Sequence, residues 1–200
     1  MSDKYGDGRD PYLYPGINVL RNRLGIRQDK RLEQAAYELT ALRAATIELG
    51  PQVRGLPHLC AIHRQLYQDV FHWAGQLREI DIYKDDTRFC NFEYIENEGN
   101  ALMQALEEEE YLSGLEKNEF VSRLAHYYCE INVLHPFRLG NGLAQRIFFE
   151  QLAIHAGYVL DWRGIDVEAW RQANQSGAMG DLAALEAIFA DVVREAGELA

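Results

Sequence analysis

A mainly α-helical bundle with one projecting β-hairpin is predicted by three observations. Apolar residues recur at helical spacing through most of the chain, Gly and Pro close several of those runs, and one short segment alternates at strand spacing instead. The 200-residue chain is long enough to bury its own core without disulfides or metals, and it reads as one domain over residues 1–200. No repeat, low-complexity stretch or linker divides it.

Asp29-Lys30-Arg31 opens the first helix, which continues through LEQAAYELTALRAATIEL and stops at Gly50-Pro51 in the usual Gly-then-Pro order. A second helix is predicted over Leu59 to Phe71, and a third from Glu93 to Glu110, whose EEEE run reads as a solvated face. Next comes the segment LREIDIYKDDTRFCNFEYI, residues 77–95, which precedes and overlaps the third helix. Ile80 and Ile82 share one face of a strand, Phe92 and Tyr94 share a face of another, and KDDT between them is turn-like. A two-stranded hairpin is marginal alone and presents unpaired edges, so it can accept an extended segment of a partner. Phe120, Leu124, Tyr128, Ile131 and Leu134 then recur at helical spacing, which predicts an amphipathic helix over residues 117–134. Two further helices are predicted over Gly142 to Ala156 and Leu182 to Glu195.

Composition narrows the function. The net charge of -11 argues against broad contact with nucleic acid or an anionic membrane, both of which reward a basic face. Cys60, Cys90 and Cys129 are far apart and form no CxxC pair, so they read as buried thiols in a reducing cytosol. MSDKYGDGRDPY has no apolar signal-peptide core, and no apolar run reaches the length of a membrane span, so a cytoplasmic location is expected.

Chemistry concentrates in NVLHPFRLGNGLAQR, residues 132–146. Pro136 lacks an N–H and disfavours helical geometry at His135, so the 117–134 helix ends there with His135 at its terminus and Phe137 free to anchor the loop. Gly140 and Gly142 let the backbone approach a ligand, and Asn141 tolerates unusual backbone angles while offering a side-chain amide. The helix that follows turns its free N–H groups and positive dipole end towards the loop, an arrangement suited to phosphate. Arg146 lies one turn inside on the same face and can add a bidentate contact. Singly, a His beside a helix end and a Gly-Asn-Gly are more often structural. The loop is neither a Walker loop nor a dinucleotide fingerprint.

Together these residues resemble the Fic-domain signature HPFx[DE]GN[GK]xxR, matched at His135, Pro136, Phe137, Gly140, Asn141, Gly142 and Arg146. The helical body, the hairpin and the segment QANQSGAMGDLAALEAIF extend the resemblance to nearly the whole chain, with the closest likeness to short bacterial Fic toxins of toxin–antitoxin pairs. The resemblance implies a Fic-type bundle whose hairpin, about residues 78–94, is a flap over the active site. It also implies protein adenylyltransferase activity, the transfer of AMP from ATP to a hydroxyl side chain of a target protein held along the flap. His135 is then the general base, a role that contributes about a hundred- to ten-thousand-fold in rate. Gly140, Asn141 and Gly142 form the anion hole for ATP, and Arg146 holds the outer phosphates.

Two positions depart from the signature. Leu139 stands where the family has its acidic magnesium ligand, and Leu143 where a further Arg is common. Leucine ligates no cation, so Mg2+ binding and catalytic strength are the properties these changes touch. Fic proteins are commonly inhibited by a helix carrying [ST]xxxE[GN], whose Glu pairs with the final Arg. No Ser or Thr here is followed four residues on by Glu, and the nearest miss is Tyr94 with Glu98-Gly99. The resemblance therefore implies a small separate antitoxin that supplies the Glu to Arg146. Kinase-like phosphate transfer and a catalytically degenerate nucleotide- or partner-binding protein are the alternative functions.

Overall fold

The computed structural model describes residues 4–5, 10–51, 54–84 and 87–199. Its helices are α1 (Asp29–Ala44), α2 (Gly55–Tyr67), α3 (Ile95–Glu108), α4 (Lys117–Leu134), α5 (Asn141–His155), α6 (Val167–Ala178) and α7 (Ala183–Val192). The strands are β1 (Lys4–Tyr5), β2 (Ile82–Lys84), β3 (Thr87–Arg88), β4 (Tyr158–Leu160) and β5 (Val193–Glu195).

α4 is the centre of the bundle because its apolar face is broad, with Asn118, Glu119, Ser122 and Glu130 left on the exposed side. Phe120, Val121, Leu124, Ala125, Tyr127, Tyr128, Cys129, Ile131 and Leu134 are all buried along it, and it packs against α3, α5, α6 and α7. α2 supplies a second apolar face, through Leu56, Leu59, Ile62, His63, Leu66 and Tyr67, and packs against α1, α3 and α5. Each fully buried Leu or Phe in these faces contributes roughly 1.5–3 kcal/mol relative to exposure.

Several boundaries differ from the sequence reading for identifiable reasons. α1 stops at Ala44, short of Gly50, and buries only Leu32 and Thr40. Little packing rewards a further turn, and the β-branched Thr46 turns its hydroxyl onto the Arg43 carbonyl at 2.7 Å. α2 runs from Gly55 to Tyr67 and does not reach Phe71. Both the Val70 and Phe71 N–H groups converge on the Tyr67 carbonyl, and this bend drops both side chains into the core. The last helix ends at Val192, and Val193–Glu195 instead pairs antiparallel with β4, Leu160 opposite Val193. α6 was not read from sequence. Asn174, Ser176 and Gly177 are weak helix formers, and the helix rests on its Asp166 cap to the Ala169 N–H and on burial of Ala173 and Gly177.

The hairpin exists with shorter strands than expected. Tyr83 pairs with Arg88 and Lys84 with Thr87, while Asp85 and Asp86 of the KDDT turn lie outside the described residues. Ile80 sits in a bend before β2, so only Ile82 of that pair is in a strand, and it is buried. Phe92 and Tyr94 belong to a 3-10 turn. The Asp81 carboxylate accepts from the Phe92 N–H and the Asn91 amide, and Asn91 caps the Glu93 N–H, which closes the strand early. β1 adds to the other edge of β2, with Lys4 opposite Tyr83, making a three-stranded sheet in the order β1-β2-β3.

Cys129 is buried as expected, but Cys60 and Cys90 are only half-buried, and the three thiols are free. Among the described residues no helix is long and apolar enough to cross a membrane.

Candidate active site

The turn from α4 into α5 assembles the motif. The Pro136 ring ends α4, and His135 adopts the left-handed conformation at φ 45, ψ 61. That geometry is uncommon for a residue with a Cβ, and three contacts hold it. The His135 N–H donates to the Ile131 carbonyl at 3.1 Å, the His135 carbonyl accepts from Arg78 Nε at 2.7 Å, and the imidazole stacks on Phe89 with centroids 3.8 Å apart. Nδ1 lies 3.3 Å from the Asn132 carbonyl. A carbonyl can only accept, so Nδ1 keeps its hydrogen and Nε2 keeps its lone pair. Burial, then the Arg78 charge, and more weakly Lys84, push the His135 pKa down to about 3. At neutral pH the ring is therefore an uncharged proton acceptor.

Phe137 is wholly buried and stacks on His63 at 3.9 Å between centroids. His63 accepts the Gly75 N–H at Nδ1, 2.8 Å, so its Nε2 donates to the Leu139 carbonyl at 2.9 Å. Burial lowers its pKa to about 4, against a smaller opposing effect of the Leu139 hydrogen bond. Asn141 is buried, and its side-chain amide is turned onto the loop. Its Oδ1 accepts the Phe137 N–H at 2.8 Å and its Nδ2 donates to the Phe137 carbonyl at 2.7 Å. The side-chain amide closes the loop on itself, so Asn141 faces a ligand only through its backbone. A second strap crosses this loop where Arg138 and Asp10, 1% and 3% exposed, form an ion pair at 2.7 Å.

Gly140 caps α5 at φ 85, and the Tyr67 ring fills the place where a Cβ would stand. No side chain caps α5, and its first backbone bond runs from the Ala144 N–H to the Gly140 carbonyl. The N–H groups of Asn141, Gly142 and Leu143 thus point out of the helix end, where the dipole is positive. Gly142 is exposed, with nothing within 4 Å of where a Cβ would stand. His135, Leu139, Gly140, Asn141 and Gly142 share a cavity of about 450 Å3, walled by Phe89 and Lys84 of the hairpin and by Trp170, Arg171 and Asn174 of α6. A groove of about 590 Å3 between α1 and α2, lined by Arg43, Cys60 and Arg64, contains none of the motif.

The Fic/DOC family model matches residues 55–153, which span α2 to α5 and the whole loop. The chain is 79% identical, over 99% of both sequences, to the probable protein adenylyltransferase Fic of Escherichia coli (strain K12). This chain belongs to the Fic/DOC family. It is also 38% identical to the protein adenylyltransferase VbhT of Bartonella schoenbuchensis, covering 93% of this chain and 39% of that protein. Among solved structures it resembles the BepC protein of Bartonella tribocorum with bound AMPPNP, at TM-score 0.84 and 26% identity over 92% of this chain and 96% of that one. The N-terminal Fic domain of a Bartonella quintana protein with bound ADP gives TM-score 0.85 and 27% identity, covering 94% and 96%. The mainly helical fold expected from the sequence is the fold these relatives share.

The remaining positions of the Fic signature are less convergent. Arg146 lies on α5 beyond the cavity wall, its guanidinium 4.8 Å above the Trp162 ring. Leu139 and Leu143 are half-buried and pack on the core, and Leu139 also lines the cavity. Among the described residues no carboxylate lines the cavity, and no group of His, Cys, Asp and Glu could hold a metal ion. This donor set does not fit a magnesium ion held by protein ligands. Sequence reasoning missed His63, Arg78, Phe89 and the α6 wall. His63 had one signal, its place on the apolar face Leu59-Ile62-Leu66. Arg78 had none, since its partners are backbone carbonyls distant in sequence.

Proposed function

We propose that this chain is a protein adenylyltransferase that transfers AMP from ATP to a hydroxyl side chain of a target protein. The observation that carries the reading is a neutral imidazole, its Nδ1 tied to the Asn132 carbonyl, sharing one cavity with the uncapped N-terminus of α5. The relatives named as adenylyltransferases and the neighbours holding AMPPNP and ADP support it.

On this reading the target oxygen attacks the α-phosphorus as His135 Nε2 takes its proton. A new O–P bond forms, the bond to the bridging oxygen breaks, and pyrophosphate leaves. The N–H groups of Asn141, Gly142 and Leu143, with Gly140 setting their direction, offset phosphate charge at the helix end. Arg146 lies on Trp162 in this conformation, so its contact with the outer phosphates requires the side chain to swing. A small antitoxin helix carrying Glu would hold the same arginine and block transfer. The hairpin, whose β3 edge carries no further strand among the described residues, offers the place for an extended target segment. Leu139 and Leu143 weaken charge compensation, so the reaction is slow relative to family members with Asp or Glu and Arg at these positions.

Incubation with α-labelled ATP and a cell lysate is expected to label protein. Transfer of γ-label alone would instead indicate phosphate transfer, and retained ATP binding with neither label would indicate a degenerate binding protein. His135→Asn, whose side chain tolerates the left-handed conformation, should abolish transfer yet melt within a few degrees of the parent. Undiminished transfer by that variant overturns the assignment of the base.

A further inference from the structure

The foot of the hairpin and the end of α4 meet on one buried cation. Arg78 is 2% exposed, and its guanidinium reaches carbonyls of two separate segments. Nε donates to His135 O at 2.7 Å, Nη1 to Ile80 O at 2.6 Å, and Nη2 to Cys90 O at 2.5 Å and Leu134 O at 3.3 Å. The backbones join alongside: the Arg78 N–H donates to Pro136 O and the Cys90 N–H to Val133 O, each at 2.9 Å. A rigid planar fork suits such an array, whereas an ammonium on a flexible stem cannot span it. Burial pulls the Arg78 pKa down to about 10, so it remains charged at neutral pH, with the Asp81 carboxylate contributing the largest opposing effect.

We propose that Arg78 is a positioning residue for the transfer reaction, locking the hairpin to the His135 backbone so that hairpin and imidazole move as one body. The inference rests on the reading of His135 as base and the hairpin as the place where the target docks. Phe89, the residue after β3, extends the lock to the imidazole face. The same cation stands beside the ring and opposes its protonation. Burial is the larger influence, Lys84 on β2 acts in the same direction, the Asn132 carbonyl acts against it, and Arg171 of α6 lines the same cavity.

Hydrogen exchange on the unmodified chain gives the first test. The Arg78 and Cys90 amides should be as protected as that of His135, because opening one end requires opening the other. Exchange at the hairpin foot far faster than at His135 overturns the lock. Two variants separate charge from fork. Arg78→Lys keeps the charge, so the His135 imidazole should stay neutral by NMR down to acid unfolding, while loss of placement lowers turnover by about a hundredfold. Arg78→Met should show the same loss and a His135 titration displaced upwards. Full turnover in a folded Lys variant, or an unmoved His135 titration in a folded Met variant, refutes the proposal. Absence of transfer by the parent chain would refute the reaction itself, and the exchange and titration results would still decide the role of Arg78.

Discussion

Replacing Gly140 with Ala tests whether the loop is built by backbone geometry, as the structure indicates. The position has φ +85, and an added Cβ would stand 2.3 Å from Tyr67 Cε2 and 2.5 Å from Cζ. A left-handed conformation costs a residue with a side chain about 1–2 kcal/mol. Overpacking costs about 1–3 kcal/mol more. The Tyr67 ring has little room to give, since it stacks on His63 at 4.8 Å and on Phe71 at 6.1 Å. Gly140→Ala should therefore lose about 2–5 kcal/mol, a large share of the ~5–15 kcal/mol of a typical domain. At about 2–4 °C per kcal/mol for a chain of this size, melting by circular dichroism should fall by roughly 4–20 °C. Adding Tyr67→Ala supplies space but not the backbone conformation. Gly142→Ala is the control: its site is open, so melting should barely move while nucleotide affinity falls, because the methyl enters the space assigned to phosphate. Equal, small effects of the two alanines on melting would refute this reasoning.

Stability should also respond to mild acid. His63 and His135 have folded pKa values of about 4 and about 3, below the 6.5 of a free imidazole. Below pH 6.5 the unfolded chain takes up protons that the folded chain refuses, so stability falls as pH falls, by about 1.4 kcal/mol per group at pH 5.5. Urea midpoints between pH 7.5 and pH 5 should show this, and His63→Gln should remove roughly half of the slope; a slope unchanged by His63→Gln would exclude a buried neutral His63. Leu139→Glu places a carboxylate beside the α5 N-terminus, which favours negative charge by about 0.3–1 kcal/mol. Nucleotide binding should become magnesium-dependent and AMP transfer should rise, Leu143→Arg adding to both. A folded Leu139→Glu chain indifferent to magnesium in calorimetry would refute the reading of position 139 as a vacated metal site.

Legibility followed the range of the interaction. α4 was readable to its ends because apolar residues recur at helical spacing from Phe120 to Leu134 and Pro136 marks its stop. The hairpin was readable in position but not in extent, because Asp81 and Asn91 end it through side-chain bonds that no alternation pattern encodes. β5 was read as helix because its partner, β4, is a contact distant in sequence. In the site, the residue types of the motif pointed to the loop that lines the cavity, but not to the partners each side chain takes. The Asn141 side-chain amide clasps the loop and leaves only the backbone N–H to face a ligand. Arg146 looked directed at the loop and lies on Trp162. Local spacing says which atoms are near, whereas hydrogen-bond partners are chosen by the packed whole.

Among the described residues β3 offers a visitor only Thr87 and Arg88, since the other side of β2 is occupied by β1. At about 1 kcal/mol per backbone hydrogen bond, two residues of ladder are worth roughly 2 kcal/mol. Even a millimolar contact needs about 4 kcal/mol. An extended segment laid along this edge is thus aligned but barely retained. Whatever it gains in residence must come from side chains reaching beyond the two rungs, and once those let go the edge releases it quickly, which on the proposed function would let one target leave before the next arrives.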